Sequence, residues 1–439
     1  IFMISIIKKL YFKKKIDIKK YYLIEKLIKF LIYIIESPIY LLILPAILII
    51  YALRPVVLIR WRSLYERRIG PFAAMNENYL CEKKSGINIP KKKYIDIFYF
   101  ETKACNAQLA KMWKRKLNVQ PAFFMKRISK LNKFLGYLFS INNKVHEIQT
   151  PSTERDAQRD VHLLWGKTPP SLNFTQKEIT KGRKILNEFG LRDNEKFVCL
   201  FARDSAYLDQ HQIPPKGSWN YHAYRDYDIN NFIPAAEEMV KRGYYVFRVG
   251  KVANKKLNTS NPKIIDYAFS NLKSDFMDIY LAANCSFFFS TMAGIDQVPS
   301  IFRRPLAAIV VPIGMMQTNR SNIISIFKHH VEKNTKQKLS LSEIFSKGLA
   351  FATSSDDYKK QNLELVENSP EEIKDLAIEM MDTIENKKKE SKTDLENQET
   401  FWKLYQRNLF MIKDNRSHGI ELKGKIGAEF LNSNKNYLV

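Results

Sequence analysis

The sequence predicts an α/β protein built on parallel sheets, and three observations carry that expectation. Between Cys285 and Pro305 an apolar run, Phe287 to Phe289, leads into the hydroxyl pair Ser290 and Thr291, then Gly294, then a helix-length segment that stops at Pro305. A second apolar run, Leu306 to Val311, follows, so the order is strand, turn, helix, strand, as in a βαβ unit. The same order recurs upstream. Lys196 to Ala202 reads as a strand, and Ile229, Phe232, Ile233, Ala236, Met239 and Val240 recur at helical spacing. Gly243 stops that helix, and Tyr244 to Val249 is the next strand. Finally, 439 residues with 45% hydrophobic content suffice for two domains, each with its own core.

That apolar content excludes wholesale disorder. With 71 basic and 45 acidic residues the net charge is +26, which invites a nucleic-acid reading. The lysines are scattered, however, and neither zinc-finger spacing nor an RNP-like motif occurs, so compositional bias is the plain account. The sharper account is a surface that meets anionic lipid or sugar phosphates. Cys81, Cys105, Cys199 and Cys285 form no CxxC pair, which suits a reducing compartment without disulfides or zinc.

Residues 1–29 hold nine lysines against Asp17 and Glu25. Phe30 to Ile35, Glu36 and Ser37 follow, then an uncharged run of 16 residues, Pro38 to Leu53, with Arg54, Arg60, Arg62, Arg67 and Arg68 beyond it. The run is shorter than the roughly 20 residues of a membrane-spanning helix, and both flanks are positive. Residues 1–54 are therefore expected to form a basic, hydrophobic, membrane-associating helical segment. It would be a hairpin bent near Pro38 or Pro45 that dips into one leaflet, with a single transmembrane helix as the alternative. No small-residue cleavage site follows the run, which argues against a cleaved signal peptide.

Residues 55–170 read as a first domain, with strands at Pro55 to Trp61 and Tyr94 to Phe100 and helices at Phe72 to Leu80 and near Asn106 to Leu117. From Asn118 to Thr168 the pattern is short helices mixed with loop. Residues 171–370 read as a second domain: a helix from Thr175 to Phe189 stopped by Gly190, the strands above, a long polar loop from Arg203 to Asp228, and a helix from Asp275 to Ala283. Residues 371–439 are C-terminal helices and a tail.

In open parallel sheets, ligands bind beyond the carboxyl ends of the strands. Arg203 with Asp204, Gly250 with Lys251, and Ser290 to Gly294 occupy three such ends. A glycine turn ahead of a helix N-terminus suits a phosphate, whereas the plain alternative is a turn capped by Ser290 or Thr291. Arg203 and Arg225 can pair phosphate oxygens bidentately, against the alternative of surface ion pairing. Arg248 reads as a half-buried structural partner and Lys251 as solvated. His222, in the same loop, is a candidate base or phosphate donor, against a structural hydrogen bond. Asp204 is a candidate carboxylate base. In the first domain Arg68, Gly70 and Asn76 are candidate acceptor contacts and Glu77 a candidate base, against a basic collar on lipid head groups. Asp96, within the strand Tyr94 to Phe100, and Glu101, just after it, are further candidate carboxylate bases.

Three segments resemble a family of bacterial glycosyltransferases from surface-carbohydrate gene clusters: RRIGPFAAMNENYL (Arg67 to Leu80), YRDYDINNFIPAAEEMVKRGYYVFRVGK (Tyr224 to Lys251) and the stretch from Cys285 through FRRP. EEIKDLAIEMM (Glu371 to Met381) and GKIGAEFLNSN (Gly424 to Asn434) also fit, so the similarity runs from about Arg54 onward. The resemblance implies a GT-B-like architecture, two Rossmann-like domains facing a cleft, with the nucleotide-sugar donor held by the second. It also implies that Ser290, Thr291, Gly294 and Asp296 lie beside the donor diphosphate. Family members tend to carry histidine where this chain has Pro71, so no role of that side chain carries over. Asp226-Tyr227-Asp228 resembles the DxD metal motif of one class of sugar transferases. That motif closes a strand, whereas here it opens a helix, so Asp228 is expected to be an N-cap and no obligatory metal is expected.

The expected activity is metal-independent transfer of a sugar from a nucleotide-sugar to a surface polysaccharide or lipid-linked glycan. No other cofactor and no nucleic-acid partner are expected. The expected location is the cytoplasmic face of the bacterial inner membrane, peripheral or monotopic. Two alternatives stand beside it: a membrane-associated polyanion or nucleic-acid binder, suggested by the charge, and an inactive glycan-assembly scaffold, suggested by Pro71.

Overall fold

The computed structural model describes residues 38–139, 142–149, 159–206, 219–317, 320–411 and 423–439. The lysine-rich residues 1–37 and the middle of the loop after Arg203 lie outside the described residues. The chain forms two compact units that interleave in sequence. The first holds the described residues of Ile1–Leu64, Pro90–Glu101 and Leu117–Gln149, and the second those of Tyr65–Ile89, Thr102–Lys116 and Thr150–Val439.

In chain order the elements begin with α1 (38–52), β1 (Leu58–Ser63), α2 (Ile69–Lys84), β2 (Tyr94–Tyr99), α3 (Ala107–Lys114) and α4 (Ala122–Leu138). They continue with α5 (Gln176–Glu188), β3 (Lys196–Phe201), α6 (Ile233–Lys241), β4 (Tyr244–Arg248), β5 (Ile264–Ile265), α7 (Asp275–Asn284) and β6 (Phe288–Ser290). Further along come α8 (Gln297–Ile301), β7 (Leu306–Val310), β8 (Ile323–Phe327), β9 (His329–Glu332), β10 (Leu363–Val366), α9 (Pro370–Ile384), α10 (Lys392–Met411) and β11 (Lys425–Ile426), with a last short helix at Ala428–Ser433.

In the first unit β1 and β2 pair in parallel, with single parallel bridges from Trp61 to Glu147 and from Phe98 to Val119. A full Rossmann-like sheet was expected here, but among the described residues the regular sheet stops at two strands. The helices that follow those strands, α2 and α3, belong to the second unit. Asp96, a candidate base, lies inside β2 and is held by Arg60 through two bonds of 2.7 and 2.8 Å, both side chains buried. Of the two expected bend positions, Pro45 shows none, since α1 runs unbroken through that residue, and Pro38 is the first described residue. It packs on α4 through Ile43, Ile47, Leu131 and Leu135. Helix α4 occupies a region expected to be short helices and loop.

The second unit is organised on a seven-stranded sheet in the order β11-β8-β7-β6-β3-β4-β5, every pair parallel. Its central strands are buried along their length, as expected for apolar runs covered on both faces. Thr175 and Glu178 form a reciprocal capping box that starts α5, and Gly190 takes φ +88° just beyond its end. The C-terminal tail is part of this sheet, because β11 pairs with β8 at one edge. Helix α3 joins this unit through α7: Asn106 Nδ2 donates to the Asp275 carbonyl at 2.9 Å, and the Ala107 amide donates to Asp275 Oδ2 at 2.7 Å.

Candidate functional site at the carboxyl rim of the parallel sheet

Because all seven strands run the same way, their carboxyl ends share one rim, and the adjacency of β6, β3 and β4 brings three loops together there. The Arg203 amide donates to Thr291 Oγ1 at 2.8 Å, and the Thr291 amide to the Phe201 carbonyl at 3.2 Å. Asp204 accepts from the Ala206 amide at 3.1 Å and from the Asn254 amide at 2.8 Å, joining the loops after β3 and β4. Gly250 holds φ +154°, a backbone geometry that favours glycine, directly after β4.

A group of cations lines this rim. Arg203 is buried, forms an ion pair with Asp226 and donates to the His222 carbonyl at 3.2 Å. Arg225 donates through Nη2 to the Met292 carbonyl. Lys328, the first residue after β8, is only 4% exposed; its Nζ donates to the Asp226 carbonyl at 2.8 Å and lies 4.3 Å from the Tyr227 ring centre. Burial pushes the Lys328 ammonium down to about 8, with the Arg203 charge adding to the effect and Glu367 opposing it. Burial, then Arg225 and Arg203, pushes His222 down to about 4, so its imidazole is neutral at neutral pH. Among the described residues neither Arg225 nor Lys328 has a carboxylate within ion-pair distance. A desolvated cation with no carboxylate at ion-pair distance is costly, and an anion at the rim relieves that cost. Lys328 was not singled out in the sequence, although it ends an apolar strand run just as Arg203 nearly does.

The turn after β6 is built differently from the expectation. Ser290 Oγ donates to Asp296 Oδ1 at 2.5 Å and the Ala293 amide donates to Asp296 Oδ2 at 2.7 Å. Ser290 and Asp296 are both fully buried. Their side chains are thus committed to each other in an internal cap, whereas the resemblance implies a place beside the donor diphosphate for both. Burial pushes Asp296 up to about 7. Gly294 serves close packing: a Cβ on it would sit 3.3 Å from the Gly70 amide nitrogen at the start of α2. Helix α8 has only five residues.

The first-domain candidates separate in the same way. Arg68 is exposed. Gly70 is buried under the Gly294 turn. Asn76 is fully buried and donates to the Phe72 carbonyl at 2.8 Å within α2. Glu77 is fully buried, 2.6 Å from Arg303 Nη2, and accepts from the Ser171 amide at 3.2 Å, so it is a structural carboxylate and not a reachable base. In the DYD sequence Asp228 caps the turn at Asn230 at 3.0 Å and pairs with Lys255 at 2.6 Å. Asp226 pairs with Arg203. Arg248 pairs with Asp266 at 2.9 Å, the structural role expected for it. Among the described residues no three His, Cys, Asp or Glu side chains gather as a metal site.

No protein-family model matches the sequence, and no curated protein matches it. Among solved structures, the glycosyl transferase family 9 protein from Veillonella parvula DSM 2008 is 10% identical, covers 76% of this chain and 99% of its own, and superposes with a TM-score of 0.42. The E. coli ADP-heptose lps heptosyltransferase II is 14% identical, covers 62% of this chain and 89% of its own, with a TM-score of 0.34. An E. coli heptosyltransferase bound to ADP-2-deoxy-2-fluoro heptose is 11% identical over 61% of this chain and 93% of its own, with a TM-score of 0.28. Superpositions this loose decide neither family nor chemistry.

Proposed function

We propose that the rim of the seven-stranded sheet holds the diphosphate of a nucleotide-sugar, and that the protein is a glycosyltransferase acting on a surface polysaccharide or lipid-linked glycan. The observation that carries this reading is the pair of rim cations, Arg225 and Lys328, which among the described residues have no carboxylate at ion-pair distance, beside the neutral imidazole of His222. The sequence resemblance to surface-carbohydrate transferases supplies the substrate class. Arg203, Arg225 and Lys328 neutralise charge that builds on the leaving diphosphate. His222 takes the acceptor proton; Asp204 is tied to two amides and Glu77 to Arg303, which leaves His222 as the base among the three carried candidates. The charge on the leaving group is met by side chains, and both DYD carboxylates already have protein partners, so the reading needs no metal.

The test is a thermal-shift screen with UDP-, GDP-, ADP-, CMP- and dTDP-sugars, followed by a transfer assay with the donor that stabilises the fold. A selective shift is expected, with the affinity for that donor lowered about tenfold by Arg225→Ala and by Lys328→Ala, roughly one lost charge-assisted hydrogen bond each. No shift with any donor and no transfer would remove the proposal.

A further inference from the structure

Helix α1 is uncharged throughout, yet only one of its faces is packed. Ile43 and Ile47 meet Leu131 and Leu135 of α4, with Ile39, Tyr40, Leu44 and Tyr51 around them. The opposite face is equally apolar and lies open: Leu41, Leu42, Leu48 and Ile49 are 70%, 80%, 51% and 58% exposed. A helix apolar all round normally has both faces covered. Helix α4 has the same character, since Phe134 and Tyr137 are exposed while Leu131 and Leu135 are buried. Isolated exposed apolar residues need no explanation, but a run of them along two packed helices does.

We infer that α1 and α4 form a platform that inserts into the interfacial layer of an anionic lipid bilayer. Three arguments favour lipid over other occupants. At 1.5 Å per residue, the described part of α1, residues 38–52, is about 22 Å long, short of the roughly 30 Å hydrocarbon core, and no described helix is long and apolar enough to cross a membrane. That described length suits lying in the interface. The charge is also complementary, because α4 carries four lysine and arginine side chains between residues 126 and 133 and no acidic one. The described residues of the first unit hold eleven lysines and arginines against three acidic residues. A second copy would set those cations against themselves, whereas anionic head groups neutralise them. Exposed aromatic side chains such as Tyr137 belong at the head-group level. This inference does not depend on sugar transfer, and it extends the expected membrane segment to a helix that the sequence did not disclose.

The test is flotation of the full chain with phosphatidylglycerol–phosphatidylcholine vesicles and with phosphatidylcholine alone. Binding to the anionic vesicles is expected, weaker on the neutral ones and at high salt. The variant Leu42→Ser/Leu48→Ser/Ile49→Ser is expected to lose about tenfold or more, since each side chain gives up apolar burial while the packed seam is kept. Hydrogen exchange on the unmodified chain gives a second readout, with protection of residues 38–52 on vesicle addition expected whether or not the variant folds. Wild-type flotation by a folded triple variant would overturn the inference. So would absence of protection over 38–52, or a lipid-free dimer in analytical ultracentrifugation that the triple variant dissociates.

Discussion

The backbone amide of Arg203 donates to Thr291 Oγ1 at 2.8 Å, joining positions 88 residues apart at the ends of adjacent strands. Thr291 is buried, so replacing it by valine leaves that amide without an acceptor. Thr291→Val is expected to lower stability by about 1–3 kcal/mol in urea denaturation. It should also weaken nucleoside diphosphate binding by calorimetry, because the loop that carries Arg203 loses its anchor. Thr291→Ser keeps the acceptor and is expected to restore both. Equal losses in the serine and valine variants would show that the hydroxyl does not fix the loop.

Lys328 sets a pH dependence with two opposite signs. Its folded value of about 8 lies below the ordinary lysine value of 10.5, so between those limits the unfolded chain binds more protons than the folded one. The lysine's contribution to stability therefore rises with pH across that window. Affinity for an anion does the reverse, falling as the ammonium deprotonates above about 8. Calorimetric titration of a nucleoside diphosphate across the window is expected to show this fall. Lys328→Arg is expected to flatten it, since a guanidinium stays charged. A wild-type affinity that holds constant up to the ordinary lysine value would show that Lys328 does not contact the anion.

Glu77 and Arg303 form a buried pair at 2.6 Å. Arg303→Ala strands the carboxylate and is expected to cost about 3–5 kcal/mol by chemical denaturation. Glu77→Gln removes the charge, and its effect is expected to appear in stability while transfer per folded molecule is retained. Loss of turnover in a Glu77→Gln protein of unchanged melting temperature would instead make Glu77 a catalytic residue.

Helix α4 shows why part of the molecule was hidden in the sequence. Its lysines interleave with Phe134 and Tyr137, both of which are exposed, so its outer face is too apolar to leave the one-sided stripe that marks an amphipathic helix. Glu77 misled for another reason. On a helix behind a strand it has the position of a reachable base, and only Arg303, 226 residues further on, makes it a buried structural partner. Ser290 and Asp296 are similar, because their hydrogen bond closes inside a turn that also reads as a phosphate loop.

Local apolar runs bounded by glycine and proline were sufficient by themselves to specify β3, β4, β6 and β7, because a buried strand needs only a continuous stretch of hydrophobic side chains. The same strand ends marked Arg203 and Gly250. The order in which the strands pair, and therefore which loops meet, was decided by the tertiary structure. So was the charge balance at the rim, where Asp226 answers Arg203 while Arg225 and Lys328 have, among the described residues, no carboxylate at ion-pair distance. That balance depends on the distances between charges far apart in the chain, and no local pattern of residues encodes them.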